Sequence, residues 1–479
     1  MKIWYLAALI CFASCAKHIE NNSVSPETST SHPPQPIPQL NYYVSESGNE
    51  MNSGKTVDQP WSLKKANDFT FKPGDTINLI GTLYGSLVLT ESGTTDSMIT
   101  IKGGKINSGN KSGITLYNNS NITIRDIELH GSGEMSTTLD NAGIRLWSDD
   151  GNRHANFLLE NIIAKGYSKA GIESGLAMSP DVIRESEEAS MNYPGGFDNV
   201  LLNHCQADSN GYAGINMAGS WPGRQNRNIV IKNSKAFSNR GIKGYEPHSG
   251  NGIFLTNVVD GQIDSCEAAF NGWENGSGNI GIWTASAVNV IIQNSSSYRN
   301  KSMTNGDGGG FDIDGGSWNC TLQYNYAYEN DGAGYLVYEY GNRNGMKDHM
   351  VRYNISHNDA RKGNDYGGIT VGGDAPITNL RIYNNTIIQD KGQAIKYVGG
   401  QILGIYDVKN NVLDAPELSY VGKTSANNLL SDPSLNEMYI PLQNSPVIDV
   451  AAEIADMLPA LDYYGKPIKG KRDIGAVEY

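Results

Sequence analysis

The sequence predicts an all-β parallel β-helix, a single-stranded solenoid of stacked parallel strands with about three strands per rung. Two repeats and a compositional bias carry that expectation. A small or apolar residue followed three positions later by Asn recurs at Ala207–Asn210, Ala236–Asn239, Ala268–Asn271, Ser297–Asn300, Ala327–Asn330 and Ile355–Asn358, with Asn-to-Asn intervals of 29, 32, 29, 30 and 28 residues. Eight residues before these Asn stand Leu202, Ile231, Ile263, Ile292, Leu322 and, in the last repeat, Met350. Gly followed by an apolar residue recurs beside this pattern, at Gly143-Ile144, Gly171-Ile172, Gly214-Ile215, Gly252-Ile253, Gly281-Ile282, Gly310-Phe311, Gly334-Tyr335 and Gly368-Ile369. The 55 Gly against 18 Pro mark many tight turns. A leucine-rich repeat would need a Leu ladder and a propeller a longer period, so neither fits. Asn at a fixed turn is expected to adopt the left-handed conformation and to bond the same Asn one rung away.

The elements follow in order along the chain. Lys2 precedes an apolar run, Ile3 to Ala13, that ends at Ser14-Cys15. The run is too short to span a bilayer and reads as a signal peptide over residues 1–15. It resembles the lipoprotein signal of bacteria, in which the cysteine at the cleavage point is acylated, although Phe12 stands where such signals usually have Leu. That resemblance implies lipidation at Cys15 and an exported, membrane-anchored chain facing the periplasm or the cell surface. Residues 16–40, rich in Ser, Thr, Pro and Asn, form a solvated tether. Residues 41–105 are expected to cap the coil, 106–430 to form it and 431–479 to close it. After the signal only Cys205, Cys266 and Cys320 remain, an odd number that argues against a disulfide framework. Cys205 and Cys266 hold the same repeat position two rungs apart, nearly 10 Å at about 4.8 Å per rung, too far for a bond. All three are expected to be interior fillers.

Net charge is −13, with no run of clustered Lys or Arg. Nucleic acid is therefore excluded as a partner, while a local basic site for an acidic sugar is not.

At the N-terminal end, Tyr42-Tyr43-Val44-Ser45, Gly48, Gly54, Pro60-Trp61-Ser62 and Lys72-Pro73-Gly74-Asp75-Thr76-Ile77 are similar to the first-strand signature of the pectin-lyase-like superfamily of right-handed parallel β-helix proteins. Ser445-Pro446-Val447-Ile448-Asp449 and Arg472-Asp473-Ile474-Gly475-Ala476-Val477-Glu478-Tyr479 are similar to the closing segment of the same proteins. The resemblance covers nearly all of residues 41–479. It implies a right-handed coil and a carbohydrate partner, polysaccharide or oligosaccharide, acted on by a monomer. It does not choose a reaction, because relatives hydrolyse, eliminate, epimerise or only bind.

The chemistry is expected on the Gly–apolar strands. The residue after Gly points inward, so the next residue and its i+2 neighbour point outward. Successive rungs then display Arg145 and Trp147, Glu173, Asn216, Phe254 and Thr256, Trp283, and Asp312 and Asp314. After Gly334 two registers remain open, with either Leu336 and Tyr338, or Tyr335, Val337 and Glu339, facing out. Trp147, Phe254 and Trp283 are candidate platforms for sugar rings, unless flanking loops cover them. Asp312 and Asp314 project from one face roughly 6.7 Å apart at the backbone. Two such carboxylates suit a general acid and a general base with room for a water between them, the inverting arrangement of a glycoside hydrolase, with no cofactor required. Glu339 on the next rung would be a closer partner and favour retention. The pair could instead hold Ca²⁺ in a polysaccharide lyase, with Lys243 or His248 as base, or in a non-catalytic glycan-binding protein, or serve only as a turn. The long segments 240–251, 272–280, 301–309 and 359–367, with the insertion 173–199, frame this wall. They add His248 as a candidate proton donor and Asp307 and Asp331 as candidate substrate contacts.

Overall fold

The computed structural model describes residues 39–176, 195–220, 223–304, 306–341, 345–363, 365–422, 424–454 and 459–479. The signal segment, Cys15, the tether up to residue 38 and most of the 173–199 insertion, with its Asp181, Arg184, Glu185, Glu187 and Glu188, lie outside the described residues.

The described chain is a right-handed parallel β-helix. One sheet has 11 strands, from Leu87–Leu89 to Ile395–Tyr397, each paired in parallel with the strand one rung before and after. The other two walls merge into a 24-stranded sheet. They join because Arg153–Lys165 runs through the corner and pairs with both Gly196–Asn203 and Gln206–Asp208.

Period-2 alternation builds the core. Ile144, Ile172, Ile215, Ile253, Ile282, Phe311, Tyr335 and Ile369, the residues after the repeated Gly, are all fully buried. Each rung leaves its inner apolar row complete only when the next rung stacks on it. Cys205, Cys266 and Cys320 are buried and free, as interior fillers.

The Asn ladder is present, with two corrections. Each ladder oxygen accepts from the backbone N–H and the side-chain amide of the rung before: Asn210 to Asn239, Asn239 to Asn271, Asn271 to Asn300 and Asn300 to Asn330, at 2.8–3.2 Å. First, the left-handed residue is not the ladder Asn but the one before it: Ser209, Ser238, Phe270, Arg299 and Glu329 have φ of 52–57°. That kink turns the following side chain inward, where its amide replaces the backbone partners lost at the corner. Second, the last slot belongs to Asp359, which accepts from Asn330 at 3.0 and 2.7 Å, while Asn358 occupies the left-handed position. The apolar partner shifts with it, so Val351 rather than Met350 is buried eight residues earlier. A parallel ladder runs along another corner through Asn325, Asn354, Asn385, Asn411 and Asn428.

The N-terminal end is covered by Tyr42, Trp61, Phe69 and Phe71, with Tyr42 stacked on Trp61 at 4.7 Å. Gly54, at φ +69°, lies beneath Trp61, where a Cβ would sit 2.3 Å from the ring. The C-terminal segment runs back along the outside of the coil. Arg472 donates to the Tyr353 hydroxyl at 2.7 Å, the Ala476 N–H to Thr386 Oγ1 at 3.0 Å, and Tyr326 and Tyr439 bond through their hydroxyls.

Candidate active site

A cavity of about 1030 Å³ lies on the outer face of the 11-stranded sheet. Two rows of outward side chains make its floor. The first row runs in register through Arg145, Glu173, Asn216, Phe254, Trp283, Asp312 and Leu336. The second, two residues on, holds Trp147, Gly175, Ala218, Thr256, Ala285, Asp314 and Tyr338, all lining the cavity. Its small middle members leave a trough. The edge of the Trp147 ring lies against Gly175, where a Cβ would meet it at 2.7 Å, and the Tyr340 ring covers Gly315, where a Cβ would meet it at 2.5 Å. The trough thus runs between aromatic walls, with the Asp residues at one end. In the register after Gly334, Leu336 and Tyr338 line the cavity, while Tyr335 and Val337 face the core.

Phe254 and Trp283 do point outward, but they are not exposed platforms. They are 1% and 6% exposed and stack on one another at 4.5 Å. His248, carried in by the 240–251 segment, packs edge-on against Trp283 at 5.3 Å and covers the pair. Trp147 alone of the three keeps partial exposure, with the Arg145 guanidinium 5.5 Å from its ring.

His248 is held neutral by a directional chain of hydrogen bonds. The Asn251 side-chain oxygen accepts from Trp283 Nε1 at 3.1 Å and from the Ile280 N–H at 3.3 Å, which fixes its amide orientation. Asn251 Nδ2 then donates to His248 Nδ1 at 2.9 Å, so Nδ1 is an acceptor and the ring proton sits on Nε2, 3.0 Å from the Tyr212 hydroxyl. Burial pulls the imidazole down to about 4. Both nitrogens are committed, so His248 is neither a ready proton donor nor a ready base; it positions Tyr212. Lys243 is exposed and outside the cavity lining.

Three carboxyls, Asp307, Asp312 and Asp314, share one end of the cavity. Asp312 stands between Trp283 and Leu336, is 3% exposed, and its Oδ1 has no hydrogen-bond partner. Burial first, then the charges of Asp314 and Asp307, push it well above the usual carboxylate range. Asp314 accepts the Gly315 N–H at 2.8 Å, yet burial with the charges of Asp307 and Glu339 pushes it up to about 8. Asp307 is raised by burial, and the Tyr366 hydroxyl opposes this. That hydroxyl accepts the Asp307 N–H at 2.8 Å and donates to its carboxylate at 3.2 Å. All three carboxyls are pushed up by burial, and Asp307 alone has a side-chain hydroxyl donor that opposes the shift.

Two candidates fall outside this group. Asp331 pairs with Lys301 at 3.0 Å and accepts from the Ser302 N–H; it braces a corner away from the cavity lining. Glu339 is fully buried, outside the lining, and its carboxylate accepts the Gly316 N–H at 3.1 Å. A Ca²⁺ ion at Asp312 and Asp314 would need several more oxygens. Among the described residues, no group of three acidic, His or Cys side chains is arranged to hold a metal.

Lys169, Tyr212 and Tyr366 belong to the cavity lining and were not legible as site residues. Lys169 and Tyr212 had a signal: each stands directly before an Ala-Gly-Ile, the same turn position one rung apart. Tyr366 had none, since it enters from a loop 59 residues beyond Asp307.

No family model matches the sequence, and no curated relative matches it. Among solved structures, the fold is similar to that of the GH136 lacto-N-biosidase from Eubacterium ramulus, at 17% identity over 76% of this chain and 68% of that chain, with a TM-score of 0.53. A pectate lyase aligns at 16% identity over 92% of this chain and 97% of that chain, with a TM-score of 0.47. At such identities a likeness speaks for the fold, and in fold this chain is a right-handed parallel β-helix.

Proposed function

We propose that the protein is a glycoside hydrolase acting on a polysaccharide or oligosaccharide bound along the trough. The observation that carries this is the grouping of three carboxyls, unequally perturbed by burial, at one end of a sugar-sized cavity. Hydrolysis of a glycosidic bond needs one carboxyl protonated and one ionised. Asp314, pushed up to about 8, keeps its proton at neutral pH and is the general acid that protonates the leaving oxygen. Asp307 is assigned the ionised role, because the Tyr366 hydroxyl donates to its carboxylate and opposes the rise that burial causes. It activates a water or attacks the anomeric carbon. Asp312, pushed up by burial and by the charges of Asp314 and Asp307, is the weaker candidate for the base; its buried, unpartnered oxygen instead takes a sugar hydroxyl. Elimination is less well supported, because His248 offers no free nitrogen to act as base.

The test is a glycan panel read by mass spectrometry, with the expected products heavier by one water. Asp314→Asn and Asp307→Asn should each lower kcat by about 10²–10⁴-fold. Unsaturated products, or full activity in both variants, would overturn the assignment.

A further inference from the structure

We infer that the cavity carries, at the end away from the Asp cluster, a subsite for an anionic group on the sugar chain, a carboxylate or a sulfate ester, held by Lys169 and Tyr212 with Arg145 behind them. This rests on the reading of the cavity as a glycan site, though not on which reaction occurs there.

The charges at this end do not balance. Arg145 Nε pairs with Glu173 Oε1 at 2.5 Å, and Glu173 is 3% exposed, so that ion pair is complete and buried in the floor. Lys169 lines the same part of the cavity, yet among the described residues it makes no ion pair. Its ammonium lies 4.3 Å from the centre of the Tyr212 ring, a face that attracts a cation without neutralising it. Among the described residues, two cations therefore face one carboxylate. Burial lowers the Lys169 pKa, and the Glu173 charge only partly opposes this. A bound anion would supply the missing charge.

The polarity of Tyr212 points the same way. The chain from Trp283 through Asn251 and His248 ends with the His248 Nε2–H donated to the Tyr212 oxygen. The hydroxyl proton of Tyr212 must then point elsewhere, and Tyr212 lines the cavity. It presents a second donor, on the ring that the ammonium covers, and two such donors suit an acceptor-rich anion. The adjacent Asn216 is 4% exposed with its side-chain oxygen unpartnered, ready for a hydroxyl of the same sugar.

From the strand Ala170–Leu176, which follows Lys169, to the strand Gly309–Asp314 there are four strand steps, about 19 Å at the usual strand spacing, so the ammonium is assigned to substrate selection and not to bond cleavage.

The experiment compares glucuronate, a glucose sulfate ester and glucose as probes of thermal stability and of calorimetric binding, using the full chain. The two anionic sugars, or one of them, should stabilise the wild type more than glucose does. Lys169→Met should weaken anion binding by about 10- to 100-fold, with Lys169→Arg restoring most of it and Tyr212→Phe giving a smaller loss. A preference for glucuronate over the sulfate ester, or the reverse, identifies the anion. Equal stabilisation by charged and neutral probes overturns the inference, as does Lys169→Met leaving anion binding unchanged. Once a cleaved substrate is known, Lys169→Met should raise KM on its anionic form and leave kcat alone. Loss of kcat on neutral and anionic substrates alike would make Lys169 part of the reaction and overturn the assignment. Anion binding without any hydrolysis would sink the hydrolase reading while leaving this one intact.

Discussion

Asp314 binds its proton in the folded chain up to about pH 8, whereas an unburied Asp releases it near 3.8. Between those values the folded state holds the extra proton, so unfolding becomes easier as pH rises through that window. Asp314→Asn removes the ionisable group at similar volume. It is therefore expected to raise Tm at pH 7–8 while lowering activity, with the Tm gain fading toward pH 4. Calorimetry over that pH range checks the sign, and a Tm gain independent of pH would count against a raised Asp314. The same group should set the alkaline limb of kcat/KM near pH 8. The sequence made Asp312 and Asp314 visible through spacing alone. It could not assign their roles, because a pKa depends on what covers the carboxyl: Trp283 and Leu336 beside Asp312, Tyr366 against Asp307.

At the scale of the element, the Asn ladder is the device that ties rungs together. Asn271 accepts from the Asn239 N–H and side-chain amide at 3.0 and 2.8 Å, and donates to Asn300 and to the Ala236 carbonyl. Asn271→Ala would strand buried donors on the rung before and is expected to cost about 3 kcal/mol. Cys266→Ala, which removes one buried sulfur, should cost about 1 kcal/mol. Urea denaturation of the two variants tests the order, and equal losses would mean that the ladder is replaceable by water. The ladder was readable over five repeats and misread at the sixth. Ile355–Asn358 and Ser356–Asp359 both satisfy a small or apolar residue followed three positions later by an amide or carboxyl side chain. Only the stacking on Asn330 separates them, and Asp359 accepts the same two hydrogen bonds that an Asn would.

At the scale of the molecule, the coil is a rigid wall on which distant segments assemble a site. We propose that this wall is tethered to a membrane through a lipid on Cys15. Cys15→Ala should then move the protein from the membrane fraction to the soluble fraction, and unchanged fractionation would remove the anchor from the account. The fold itself was legible because both of its signals are short-range. Alternation assigns each strand residue to the core or to the outer face, and the Gly–apolar pair marks the same strand every rung. From these alone follow the inward Ile and Phe, the outward rows and the alignment of Asp312 with Trp283. Whether an outward residue meets solvent, a sugar or another side chain is a different matter, set by loops that return from far along the chain. His248 covers Phe254 and Trp283, and Tyr366 reaches Asp307 across 59 residues. Strand periodicity therefore determined the coil and the direction of each side chain. Only the tertiary structure decided which outward positions close over as floor and which carboxyls keep their protons, because burial is a property of everything packed against a residue and not of its neighbours in sequence.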